Sequence, residues 1–188
     1  MSLDSGYDHS EFLALLEEAV NQSGLRVALI GGVAVSFWNE PRYTDDVDFV
    51  VAADPTAIAA LTTFLTGHGF RTIREQAAAA KSGPDFVQMS RVATGDSVDF
   101  QTAKTEYQDL ILDRARPLPE GLGLPVASVE DLIVMKLLAM RSQGQQDLAN
   151  LVDLVDIDWA YVEHWAGIWQ VSDKLELFRP PVTEHKER

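Results

Sequence analysis

The sequence predicts an α/β (α+β) protein in which a small mixed β-sheet carries an acidic site, helices flank it, and a helical C-terminal part follows. Three observations lead there. Short apolar runs bounded by glycine, proline and aspartate alternate with amphipathic helical patterns through the first two thirds of the chain, and the last third holds helical patterns only. An apolar fraction of 46% supports a core, and 23% charged residues is ordinary for a folded globular chain. The length of 188 residues suits one domain with a helical appendage. The expected organisation is a core over 1–116, a Pro/Gly-rich linker over 117–127, a helical part over 128–178 that closes the site, and a tail over 179–188.

Each element has a local reason. Over residues 11–22, Phe12, Leu15, Leu16, Ala19 and Val20 form one apolar stripe, and Gly24 is placed as the stop. Residues 25–30 make an apolar run of strand length. Gly31-Gly32 breaks it before a short helix over 33–38, which Pro41 ends. Residues 46–51 are the second strand. Asp54-Pro55 supplies a cap and a first-turn proline for a helix over 56–66, closed by Gly67 and Gly69. Strands follow at 70–75, 86–92 and 97–102, the last two joined by the turn Thr94-Gly95-Asp96. A helix covers 106–114. Ser128-Val-Glu-Asp131 starts another as a capping-box-like sequence, running to Arg141, and helices continue through Phe178.

Composition excludes several classes. No apolar run approaches the roughly 20 residues of a membrane span, and no basic-then-apolar leader opens the chain. With no cysteine there are no disulfides and no thiolate metal sites, so a soluble, cytoplasmic protein is expected. A net charge of −14 opposes a broad nucleic-acid footprint. It leaves room for a local basic groove, with short concentrations at Arg71 and Arg74, at Arg114 and Arg116, and at the C-terminus.

The chemistry lies in carboxylates set among apolar residues. Strand side chains alternate faces, so Asp46 and Asp48 point the same way, roughly 7 Å apart, while Val47 and Phe49 point to the core. Asp99, between Val98 and Phe100, repeats the pattern in a later strand. Three converging carboxylates repel one another unless cations neutralise them, and all-oxygen ligation suits Mg²⁺ or Mn²⁺. Gly31-Gly32, ending a strand and opening a helix, lets the backbone approach an anion at the helix N-terminus. Acids that hold metal and a glycine turn that holds phosphate make a nucleotide site.

These residues resemble the polymerase-beta-like nucleotidyltransferase superfamily, whose mark is a Gly-Gly or Gly-Ser turn, an Asp-x-Asp pair and a distant third carboxylate. Residues 132–141 (LIVMKLLAMR), followed by Asp147-Leu and Asp153, look like the helical motif of minimal nucleotidyltransferases related to abortive-infection toxins. The resemblance spans about residues 25 to 155. It implies that Asp46 and Asp48 hold two Mg²⁺ ions, with Mn²⁺ as a substitute, and that Asp99 completes the site and helps deprotonate an acceptor hydroxyl. Gly31 and Gly32, with Thr44 and Arg42, would contact the triphosphate. Lys136 would reach the phosphates, and Asp147 would position metal or acceptor. Two departures stand out: Gly32 where many relatives have serine, and Gln146 where a basic residue is expected before Asp147.

The implied reaction transfers a nucleoside monophosphate from an NTP to an acceptor hydroxyl and releases pyrophosphate. The acceptor, whether tRNA, protein or small molecule, is open, and so is an antitoxin partner. Alternatives are an aminoglycoside- or lincosamide-type nucleotidyltransferase, for which an acidic surface suits cationic drugs, and a non-catalytic Mg·NTP-binding module. Trp159, Trp165 and Trp169 have the spacing of helix core packing. His68 reads as a loop residue and His164 as a helix-surface one.

Overall fold

Two strands with nearly the same inner face organise the molecule. Val47, Phe49, Val98 and Phe100 are buried, and the rings of Phe49 and Phe100 stack with centroids 5.7 Å apart. Burying such side chains contributes about 2 kcal/mol each, so strand alternation commits the intervening residues to the opposite face. The structure, a computed structural model, describes residues 10–39, 44, 46–76, 84–117, 123–140, 142–154 and 156–179. It contains two compact units, Met1–Ser128 and Val129–Arg188.

The first unit runs α1 (Ser10–Ser23), β1 (Val27–Ile30), α2 (Gly31–Trp38), β2 (Asp46–Val51), α3 (Pro55–Gly67), β3 (Phe70–Gln76), β4 (Phe86–Arg91), β5 (Ser97–Thr102), α4 (Glu106–Arg114), β6 (Arg116–Pro117) and β7 (Pro125–Val126). Among the described residues the strands form one mixed seven-stranded sheet in the order β3-β4-β5-β2-β1-β7-β6. β2 and β5 pair in parallel at its centre, and β1 pairs antiparallel with β2. Asp54 caps α3 by accepting from the Thr56 and Ala57 backbone N–H groups, and Pro55 occupies the first turn. Thr105 and Gln108 form a capping box on α4. Gly24 ends α1 in the left-handed conformation, φ +65°.

Three local features differ from the sequence reading. On α1, Leu13 is buried and Leu15 only partly so, because the helix turns its apolar stripe towards a Phe12–Phe70 ring stack, 5.8 Å between centroids. α2 begins at Gly31 itself, directly from the strand. The Pro/Gly-rich passage carries strands at its ends: β6 pairs antiparallel with β7, and Val126 pairs in parallel with Leu29. Both strands are two residues long and each carries a proline, so this end of the sheet offers few N–H donors.

The second unit is helical: α5 (Val129–Ala139), α6 (Ser142–Val152), α7 (Trp159–Ile168) and α8 (Ser172–Glu176). α5 stops at Ala139 rather than Arg141, because Met140 turns to φ +39°. Asp131 is fully buried and accepts from the Tyr161 hydroxyl at 2.7 Å. Of the three tryptophans expected in the core, Trp165 is buried, Trp159 is half-buried under the Arg179 guanidinium, and Trp169 is 37% exposed. No described helix is long and apolar enough to cross a membrane.

Candidate functional site

The acids meet because of register. Asp48 of β2 stands directly opposite Asp99 of β5, one strand spacing of ~4.8 Å away, and Asp46 stands opposite Ser97, so all three carboxylates lie on one sheet face with Asp46 roughly 7 Å along the strand from Asp48. Asp46 is exposed, whereas Asp48 and Asp99 are half-buried. The Oδ1 atom of Asp99 is itself buried and has no hydrogen-bond partner among the described residues. Burial pushes the Asp99 carboxyl above the usual carboxylate range. A hydrogen bond from Gln88 opposes that rise, the charge of Asp46 adds to it, and Arg74 opposes it. Asp46 is therefore close enough to Asp99 for mutual repulsion.

Gly31 fits against this pair. Its φ is +72°, and a Cβ there would lie 2.8 Å from Asp48 Cγ and nearer still to Oδ2. Two constraints, the left-handed backbone and the carboxylate packed on its Cα, thus demand glycine at one position. Gly31 also opens α2, whose cap residue Ile30 makes no side-chain hydrogen bond. The first-turn N–H groups of this helix therefore have no side-chain cap, as at a helix N-terminus that can receive an anion.

Not every expected residue joins this constellation. Among the described residues no three carboxylate or imidazole groups close into a ready-made metal cage; the three acids share a sheet face, with Asp48 and Asp99 in register. The donor set still fits a hard divalent ion. It is purely oxygen, the Oδ1 atom of Asp99 is buried and unpartnered among the described residues, and glycine at 31 lets the Asp48 carboxylate pack against the backbone. Thr44 directs its hydroxyl to the Asp46 carbonyl in a long 3.5 Å contact. Arg42 lies outside the described residues. Lys136 and Asp147, both in the second unit, pair with each other at 2.6 Å, with the Asp147 side chain 2% exposed.

Two residues near the acids were not assigned to the site from the sequence, in which Arg74 appears only as part of a short basic concentration with Arg71. Gln88 is the cross-strand neighbour of Asp99, and Arg74 is the neighbour of Gln88. Neither carries a local motif, and only the pairing of β3, β4 and β5 reveals them. His68 sits at the end of α3, its Nδ1 2.9 Å from the Phe64 carbonyl oxygen and its ring stacked on Phe64, while His164 is an exposed helix residue.

Comparison with known proteins gives a consistent outcome. The family model described as "Nucleotidyl transferase AbiEii toxin, Type IV TA system" matches residues 14–179. No curated protein matches in sequence. Among solved structures, the antibiotic-resistance factor ANT(2'')-Ia is similar with a TM-score of 0.60 at 13% identity, covering 90% of this chain and 96% of that one. A nucleotidyltransferase-like protein from Paracoccidioides brasiliensis is similar at 0.55 and 16%, covering 97% and 99%. JHP933 from Helicobacter pylori is similar at 0.53 and 15%, covering 94% and 80%. At these identities the structural likeness concerns the fold.

Proposed function

The chain belongs to the AbiEii family of nucleotidyl transferase toxins, and from that premise we propose that it moves a nucleoside monophosphate from an NTP to an acceptor hydroxyl, releasing pyrophosphate, as the toxin of a toxin–antitoxin pair. The observation that carries this reading is the parallel register of Asp48 and Asp99, with Asp46 two residues before and Gly31 packed on the Asp48 carboxylate. Asp46, Asp48 and Asp99 would hold two Mg²⁺ ions, or Mn²⁺, through oxygen alone. Bound there, such ions supply charge neutralisation at the transferring phosphoryl group.

The chain's own residues do the rest. Gly31 and Gly32 bring the backbone N–H groups of α2 to the triphosphate, which the helix N-terminus favours electrostatically. Thr44 and Arg42 belong to the same phosphate contact set. Asp99, with its carboxyl raised by burial, takes the proton of the attacking hydroxyl as the new O–P bond forms and the bond to the leaving pyrophosphate oxygen breaks. The phosphate role of Lys136 and the metal or acceptor role of Asp147 remain part of this reading, to be separated from their ion pair by mutation.

The test is label transfer: incubation with each NTP, Mg²⁺ and RNA, protein or small-molecule acceptors. We expect transfer in the wild type and none in Asp46→Ala/Asp48→Ala, together with growth arrest on expression that Asp48→Asn abolishes. Absence of transfer to every acceptor, with NTP binding unchanged in the double variant, overturns the reading. One observation favours a second reading. The net charge of −14 suits a cationic small-molecule acceptor, and tobramycin carries the adenylyl group in a complex of ANT(2")-Ia. Drug resistance on expression, without growth arrest, would select it.

A further inference from the structure

The sheet face that carries the acids does not end with them. Following the pairings outward from Asp48, the row continues through Asp99 and Gln88 to Arg74 on the edge strand β3. A second row runs from Asp46 through Ser97 and Ser90 to Arg71. Directly opposed strand residues share a face, so both arginines belong to the carboxylate face. In a regular strand they could not both do so, since they lie three positions apart and alternation would send them to opposite sides. The register of β3 shifts between Thr72 and Arg74, leaving Ile73 as the extra residue of a β-bulge. That bulge re-aims one arginine.

Both arginines are exposed. Arg71 has no ion pair among the described residues, and Arg74 lies over the Phe86 ring, 5.7 Å from its centroid. Two positive groups thus stand about 10 Å from the strand of Asp99, two strand spacings out, on a chain whose net charge is −14. They occupy the flank opposite the glycine turn: β1 and α2 adjoin β2 on one side, and β3 lies beyond β5 on the other.

This arrangement has a direction when combined with the proposed reaction, on which the inference rests. Attacking and leaving oxygens are roughly in line at the transferred phosphorus. With the triphosphate at the Gly31-Gly32 turn, pyrophosphate leaves towards α2 and the attacking hydroxyl enters from the side of β5, β4 and β3. We propose that Arg71 and Arg74 form an anion subsite on the acceptor side of the carboxylates, and that the acceptor is a molecule carrying phosphate next to its reactive hydroxyl. Guanidinium groups suit this task, because their planar donor fork matches phosphate oxygens. The same subsite disfavours a polycationic acceptor, which would meet two like charges before reaching Asp99.

Binding measurements on the intact protein test this, with the nucleotide site first saturated by Mg²⁺ and a non-hydrolysable NTP. The probes are a single-stranded RNA with a free 3′ hydroxyl, AMP, and the aminoglycoside tobramycin, each titrated at several salt concentrations. Arg71→Ala/Arg74→Ala is expected to weaken a phosphate-bearing probe about tenfold or more. For RNA it should also reduce the slope of log K against log salt by about 1.4, at about 0.7 per phosphate contact on a single strand. Arg71→Lys/Arg74→Lys should keep most of that slope, which a merely structural role would not predict. Loss for RNA alone identifies a polynucleotide backbone as the source of the phosphate, and loss for AMP as well identifies a single terminal phosphate; either supports the subsite. Unchanged affinity and slope in the alanine variant overturn it, as does binding of tobramycin but of neither phosphate-bearing probe. Failure of the wild type to bind Mg·NTP at all would instead strike the underlying reaction, so the two failures are distinct.

Discussion

At the scale of single residues, the site depends on positions where one atom decides. Gly31→Ala places a methyl group inside the van der Waals radius of the Asp48 carboxylate and forces an L side chain to φ +72°. The backbone strain alone costs about 1–2 kcal/mol, and displacement of Asp48 adds to it, so this variant should melt several degrees lower and lose NTP affinity in calorimetric titration. Asp99→Asn should do the reverse for stability. The Asp99 carboxyl is raised chiefly by burial, so the folded state favours its neutral form. That contribution is complete below the ordinary carboxyl value of about 3.9 and is lost as pH rises through the folded value. The variant should therefore melt above the wild type at pH 8, with the difference shrinking towards pH 4, while transfer activity falls by about 100-fold or more. A melting difference that grows on acidification would contradict the burial argument. Asp46, Asp48 and Asp99 were legible in the sequence because alternation with Val and Phe is a local signal. Gln88 and Arg74 were not, since their relevance arises only from strands paired across more than ten residues of chain.

At the scale of elements, the packed helices α5 and α6 share a charged pair. Asp147 on α6 is buried and accepts from Lys136 Nζ on α5 at 2.6 Å, and the Lys136 side chain is 15% exposed. Lys136→Met takes a countercharge from the buried Asp147 carboxylate, so it should destabilise by about 3 kcal/mol. The double variant Lys136→Met/Asp147→Leu should recover part of that loss, because the buried carboxylate is removed together with its countercharge. Thermal melts of the three proteins check the coupling, and the NTP KM of the double variant separates architecture from phosphate contact: recovered stability with a raised KM assigns both roles to Lys136. Element types were largely readable along this chain, from Asp54-Pro55 opening α3 to Thr94-Gly95-Asp96 turning β4 into β5. The passage around Pro117 and Pro125 was not, since a two-residue strand shows no period and its pairing to β1 is a long-range event. The bulge at Ile73 was equally hidden, because nothing local distinguishes an extra strand residue from a regular one.

At the scale of the whole molecule, the excess of acid acts in two separable ways. Composition made the charge and the absence of cysteine legible at once, whereas the division of carboxylates between surface and site needed the sheet register. A net charge of −14 opposes the compact state through self-repulsion, which salt screens with a Debye length of about 10 Å at 0.1 M. Raising KCl from low to moderate concentration should therefore lift the melting temperature gradually and without saturation at a defined stoichiometry, in the wild type and in Asp46→Asn/Asp48→Asn alike. Mg²⁺ at constant ionic strength should behave differently. Binding to the folded state alone stabilises by RT ln(1 + [L]/Kd), about 2.7 kcal/mol at a hundredfold excess over Kd. For a chain of this size that corresponds to roughly 5–10 °C, approached along a saturating curve in the wild type. The double variant, whose net charge is −12 after loss of two of the fourteen excess negative charges, should keep the salt response and lose the saturating one. Because general screening acts on all the acidic residues and the site on only three, equal Mg²⁺ curves for the two proteins would show that the carboxylates at 46 and 48 contribute charge and nothing more.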